Sequence, residues 1–412
     1  MLKPKGDCAR TTRYREPNQG IRSIHGHSSA VADSVVNYPS TLDSKFIAVT
    51  KELKDEFPFN RDMTDGEELG VGYQLSQLTM AYMHEISATA YLHPSFVKEH
   101  NIDVVPNTLA TRILPDVDCQ QVHSSTIVAA QKQIIPSTGA IRTPQLLMLS
   151  GTGPKSHLDG TGIKTTNCPP PISIVLSGWN ETRSGRLKIS KTNTRGSLRA
   201  TAKEHTRRCS TCRIVSGKKA SHYELMFLRN LDANTQSTVN VKISDMNSQP
   251  YGEIRLKLVK RYASPSTNPR MMSVETDACI LKAGYRAARR SLNATVINDF
   301  LLGPANDATY PDSEEDNAIL EFIESRVSSL RHPCGSAVMS RKNDRKGAVI
   351  PDLKLERADG TRIVDASISV SRLSLLLSSM EANRVLNKPF IPGTHLQSPI
   401  YIVAERGVNV VN

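Results

Sequence analysis

The chain has 412 residues, 38% hydrophobic and 22% charged, with a formal net charge of +12 at pH 7. That length has room for two domains and a substantial core, and the composition describes a soluble globular protein. No apolar run approaches the roughly eighteen residues of a membrane span, so no membrane partner is expected. The opening MLKPKGDCAR has no apolar signal-peptide core, which leaves the compartment open, and seven scattered cysteines do not form a disulfide framework.

The first forty residues are polar and irregular. STLDSKFIAVTKELKDEF spaces Leu42, Phe46, Val49 and Leu53 three and four apart, as a helix does. SATAYLHPSFVKEH reads as a second helix, interrupted near Pro94, while NTLATRILPD and STIVAAQKQII are short strand candidates. The segment from Arg183 to Lys219 holds seven Arg, five Lys and a single acid, Glu204, and so carries nearly all of the net charge. Its Ser, Thr and Gly content predicts a solvated basic loop or insert. Cys209 and Cys212 lie within it as a CxxC, near His205 and His222, but the spacing matches no zinc finger, and no metal is expected. The segment contains no aromatic residue to stack on bases, which argues against a nucleic-acid partner. Further on, STVNVKIS and GEIRLKLV alternate as half-buried antiparallel strands. ETDACILKAGYRAARRSL is an amphipathic helix with Leu281, Tyr285, Ala288 and Leu292 on one face, and NAILEFIESRVSSL is another.

Three stretches carry candidate chemistry. In GAIRTPQLLMLSG, Thr143 can cap a helix, Pro144 suits its first turn, and Leu146 to Leu149 supply a buried face. A helix start beside Gly139 and Ala140 either brings backbone N–H groups close to an anion such as a phosphate, or is an ordinary buried helix. His332 in RHPCGSAVM and His395 in FIPGTHLQSPIY each stand next to Pro or Gly turns that would fix the ring. Between them DGTRIVDASI reads as an apolar strand ending at Asp365 and Ala366, and an acid so placed suits a ribose or ribityl hydroxyl.

Taken in order, these stretches resemble the glucose–methanol–choline (GMC) oxidoreductases, in their fungal aryl-alcohol-oxidase-like branch. Further likeness lies in VVNYPSTLDSKFIAVTKEL, in SATAYLHPSFVKEHNIDVVPNTLATRIL and in ETDACILKAGYRAARRSL. The resemblance implies FAD as cofactor and the oxidation of a small aryl or aliphatic alcohol, with hydride passing to the flavin N5. His332 falls on the catalytic base and His395 on the second active-site position, which is His or Asn in the family. Gly139, Ala140, Thr143, Asp365, Ala366, Leu396 and Gln397 fall on cofactor-contacting positions.

The family's G-x-G-x-x-G turn is not found: GTGPKS at Gly151 lacks the third glycine and follows a helix. KTTNCPPPIS replaces a further family segment, Ile350 stands where an aspartate is expected, and residues 369–388 separate two motifs that adjoin in relatives. The expected fold is therefore α/β and α+β: a partial FAD-binding domain lacking its N-terminal βαβ unit, and a substrate domain of antiparallel sheet flanked by helices. The expected division is a partial FAD-binding region over 1–165, a substrate domain over 166–340 with its basic insert at 183–219, and a return to the FAD-binding domain over 341–412. Weak FAD binding and impaired alcohol oxidation follow from such a truncation. The alternative is an inactive remnant or interaction protein using the basic segment.

Overall fold

In the computed structural model the described residues are 7–8, 31–35, 41–63, 69–73, 75–76, 86–114, 127–165, 173–174, 180–189, 197–202, 221–231, 237–246, 248, 252–257, 262–304, 311, 313–340, 342, 347–368 and 395–411. The chain divides into two compact units that interleave along it. One comprises 1–106, 180–247 and 275–328; the other comprises 107–179, 248–274 and 329–412.

The first unit is built on an antiparallel sheet. Its strands run in the order Leu301–Pro304, Asn180–Ile189, Ser237–Asp245, Tyr223–Leu231, Ser197–Ala202 and Gly70–Tyr73. The alternation seen in STVNVKIS buries Val239, Val241 and Ile243 completely, and Ile243 and Val241 pair across strands with Leu225 and Phe227. The Glu275–Leu292 helix buries Ile280, Leu281, Tyr285 and Ala288. It approaches the sheet so closely that a Cβ at Gly284 would stand 2.5 Å from Cγ2 of Ile243. The Thr41–Glu52 helix adds Phe46, whose ring lies 3.9 Å from that of Phe227, and the Asp316–Glu324 helix adds Phe322 against Tyr285. A small mixed sheet pairs Asp7–Cys8 parallel with Ala32–Val35, which pairs antiparallel with Leu75–Ser76.

Three sequence expectations change. The basic segment is not simply a loop, because the Asn180–Ile189 and Ser197–Ala202 strands pair in register with the strands of the sheet. Backbone pairing beside a buried apolar strand overrides a polar composition. Cys209, Cys212 and His205 lie outside the described residues. SATAYLHPSFVKEH is interrupted near Pro94 as its sequence predicts, into the short helices Ser87–Tyr91 and Pro94–Glu99, the second opened by Pro94. Residues 107–114 form no strand, and Ile134 makes a single bridge to Thr361. RIVDASI likewise makes only isolated bridges, since short apolar runs can be buried by packing without a ladder.

The second unit is organised around the Gly139–Leu149 helix, buried on both sides. Leu147 joins a core with Met339, Val349, Leu353, Ile363, Ile368 and Val403. Met148 and Leu149 face a second core of Leu158, Ile163, Ile254 and Leu256. That double burial explains a run apolar on every side. A small antiparallel sheet orders Ser266–Asn268, Gly252–Arg255 and Ser173–Ile174. Among the described residues no helix is long and apolar enough to cross a membrane.

Candidate active site

The Gly139–Leu149 helix begins four residues before Thr143, so Thr143 and Pro144 lie inside it and Thr143 is not its cap. A proline inside a helix has no N–H for the carbonyl four residues back, here that of Ala140. The hydroxyl of Ser336, fully buried, donates to that carbonyl at 2.5 Å.

The start of the helix does meet an anion, and it belongs to the chain. Oδ2 of Asp365 accepts from the Gly139 amide at 2.8 Å and from the Thr143 hydroxyl at 2.5 Å, while Oδ1 accepts from the Ser367 amide at 2.7 Å. The Thr138 amide donates to the Thr143 hydroxyl at 3.1 Å. A carboxylate at a helix N-terminus is favoured both by these charge-assisted bonds and by the helix dipole. Gly139 has φ +86°, and among the described residues no atom lies within 4 Å of where its Cβ would stand. The backbone there is bare on one side.

His332 leads into a turn that Gly335 makes with φ +70°. The Gly335 amide donates to the Ala366 carbonyl at 2.9 Å and the Ala337 amide to the Ser367 carbonyl at 2.6 Å. His395 stands just ahead of the Gln397–Val411 helix, whose Val403 enters the core and whose Gly407 packs on Val364. Pro399 is tolerated in its first turn. These two anchored segments bring the rings of His332 and His395 together, with centroids 5.2 Å apart and planes at 78°. Residues 369–388, the expected insertion, lie outside the described residues.

Of the residues singled out from the sequence, Gly139, Thr143 and Asp365 meet through hydrogen bonds. Ala366 meets the loop that follows His332, and the two histidines meet each other. Ala140 is buried, Leu396 is buried beside His395, and Gln397 is exposed at the helix start. Ser336, Ser367 and Thr138 were not singled out. The signal for Ser336 was present in Pro144: an internal helix proline calls for a donor from elsewhere.

Comparison with known proteins decides the family. Models described as GMC oxidoreductase match residues 33–177, for the N-terminal part, and 248–375, for the C-terminal part, together about two thirds of the chain. The chain belongs to the GMC oxidoreductases. It is 25% identical to pyranose dehydrogenase 3 of Leucoagaricus meleagris, over 93% of this chain and 68% of that protein. It is 27% identical to dehydrogenase eriK of Hericium erinaceus, over 100% of this chain and 73% of that protein. Its fold is similar to that of the formate oxidase of Aspergillus oryzae, with a TM-score of 0.80 and 18% identity, covering 100% of this chain and 76% of the other. A fungal aryl-alcohol oxidase gives a TM-score of 0.74 at 18% identity, covering 99% and 77%.

This GMC oxidoreductase is an FAD-dependent enzyme of a family that acts on CH–OH groups, and FAD is its cofactor. Two expectations are corrected. The N-terminal part is not missing, because its family model matches residues 33–177, and the fold contains both the FAD-binding and the substrate domain. The family pattern extends over far more residues than one glycine-rich turn, so the lack of that turn does not signify the lack of a unit. The comparisons show the family and single out no branch of it, since the similar proteins include pyranose dehydrogenases as well as an aryl-alcohol oxidase. With the truncation goes the reason to expect impaired FAD binding.

Proposed function

We propose that this GMC oxidoreductase oxidises the carbinol of a small alcohol, with His332 taking the hydroxyl proton and His395 holding the hydroxyl oxygen. The observation that carries the reading is the edge-to-face pair of rings 5.2 Å apart, each on an anchored segment. Two imidazoles at that separation can both reach one hydroxyl, directly or through a small closure. When bound, FAD supplies the hydride acceptor. A neutral imidazole at residue 332 accepts the hydroxyl proton, and His395 orients the oxygen by a hydrogen bond, so that charge does not build up on it.

The residues fit a flavin. At Gly139 the bare backbone offers a flat ring system a close approach, which a side chain would obstruct. Ala140, Ala366, Leu396 and Gln397 are the further residues proposed to line that face. Asp365 is proposed to support it from behind, since both its carboxylate oxygens already accept bonds from the chain.

The names of the relatives guide the choice of probes: a pyranose sugar, an aryl alcohol and an aliphatic alcohol. Anaerobic mixing of the FAD-loaded protein with each should bleach the flavin absorbance and yield one carbonyl product per flavin. No bleaching by any alcohol would overturn the reading.

A further inference from the structure

We propose that Ser336 is a positioning residue for His332, tying the histidine's loop to the helix on which the flavin-facing backbone begins. The proposal rests on the reading of His332 as the base. Its starting point is a deficit in the helix: Pro144 leaves the Ala140 carbonyl without its usual donor four residues on. A buried carbonyl left unpaired is costly, and here its donor comes from outside the helix. The structure uses Ser336 for this, 196 residues away in sequence and only four after His332.

The bond does more than satisfy a carbonyl. Three consecutive residues after His332-Pro333-Cys334 are each held: Gly335 by the Ala366 carbonyl, Ser336 by the Ala140 carbonyl and Ala337 by the Ser367 carbonyl. The flanking bonds fix the loop to residues 366 and 367, and Ser336 alone among the three fixes it to the Gly139–Leu149 helix. Ala140 is the second residue of that helix, next to the bare backbone at Gly139. The hydroxyl thus ties the loop directly to the helix, beside the longer route through Asp365, and helps set the distance between His332 and the surface a flavin would approach. Proton transfer is sensitive to such distances, because a displacement near 1 Å can cost about a hundredfold in rate.

Two substitutions distinguish a structural role for Ser336 from a positioning one. Ser336→Ala removes both the tether and the carbonyl's donor. Combining it with Pro144→Ala restores an N–H within the helix for the Ala140 carbonyl but restores no tether. The experiment measures thermal stability, FAD content and the rate of anaerobic flavin reduction by benzyl alcohol or glucose, whichever bleaches the native enzyme. Variants are Ser336→Ala, Ser336→Thr, Pro144→Ala/Ser336→Ala and His332→Ala.

Ser336→Ala should load FAD yet reduce it about tenfold more slowly, and Ser336→Thr, which keeps the hydroxyl, should stay near the native rate. The double variant should regain stability and remain slow. Native rates in Ser336→Ala, with His332→Ala slowed by about 10²–10⁴, would overturn the positioning role while leaving the base in place. Full recovery of rate together with stability in the double variant would overturn it too, by reducing Ser336 to a structural donor. A native rate in His332→Ala would remove the base itself, and with it this proposal.

Discussion

The Thr143 hydroxyl donates to Oδ2 of Asp365 at 2.5 Å, across 222 residues of sequence, and closes the start of the Gly139–Leu149 helix with a carboxylate of the same chain. The same oxygen accepts from the Gly139 amide, so one buried acid holds a helix end and a side chain together. Asp365→Ala is expected to destabilise the protein by about 2–4 kcal/mol, and Thr143→Val by about 1–2 kcal/mol. Because the two share one hydrogen bond, their effects should be non-additive by about 1 kcal/mol or more. Chemical denaturation of the two single variants and the double variant measures this, and strictly additive losses would deny the coupling.

Gly284→Ala should destabilise the first unit, although alanine is the better helix former by about 1 kcal/mol. The added methyl would lie 2.5 Å from Cγ2 of the fully buried Ile243, and relieving that overlap costs about 1–3 kcal/mol. Equilibrium unfolding gives the sign directly: a more stable variant would mean that the helix can move away from the sheet freely.

Acid should weaken the same unit through three carboxylates. The Thr295 and Val296 amides hold the Glu52 carboxyl below its usual value. A hydrogen bond from Lys45 does so for Asp299, and bonds from Lys282 and Arg286 do so for Asp316. A depressed folded value means that the stabilisation is present above the ordinary carboxylate range and is lost as pH falls through the folded values. These groups are exposed, so added salt should shrink the effect for the ion-paired Asp299 and Asp316. Melting temperature against pH at low and high salt tests this, with Glu52→Gln expected to flatten the acid limb.

His157 adds a separate pH dependence in the second unit. Its Nε2 accepts from the Leu256 amide at 3.0 Å, which requires the neutral ring. Burial, followed by the nearby Arg255 charge, lowers its pKa below the usual 6.5. Its contribution is therefore complete above that value and is lost as pH falls from it through the folded value. His157→Gln should remove this part of the slope, and an unchanged profile would contradict the assignment.

Much of the fold was legible because its longest elements have strong periodicity. Glu275–Leu292 and Ser237–Asp245 follow their apolar spacing closely. The basic strands were not legible, because the register of Asn180–Ile189 is supplied by the Ser237–Asp245 strand and not by its own side chains. At the site, Pro and Gly marked the two histidine loops, and an acid before small residues marked Asp365. The partners of these residues were hidden, because hydrogen bonds such as those from Thr143 to Asp365 and from Ser336 to Ala140 join segments about 200 residues apart. Local sequence does not encode such pairs, although the internal Pro144 announced that one was needed.

The central claim is that His332 takes the alcohol proton while His395 orients the oxygen. Single-turnover anaerobic reduction of the FAD-loaded enzyme tests it most directly, comparing the native protein with His332→Ala and His395→Asn. Loss of a general base typically costs about 10²–10⁴ in rate, so His332→Ala should fall by that much with FAD still bound. Asparagine can still hydrogen-bond the hydroxyl, so His395→Asn should lose about tenfold or less. Flavin reduction at the native rate in His332→Ala would contradict the account.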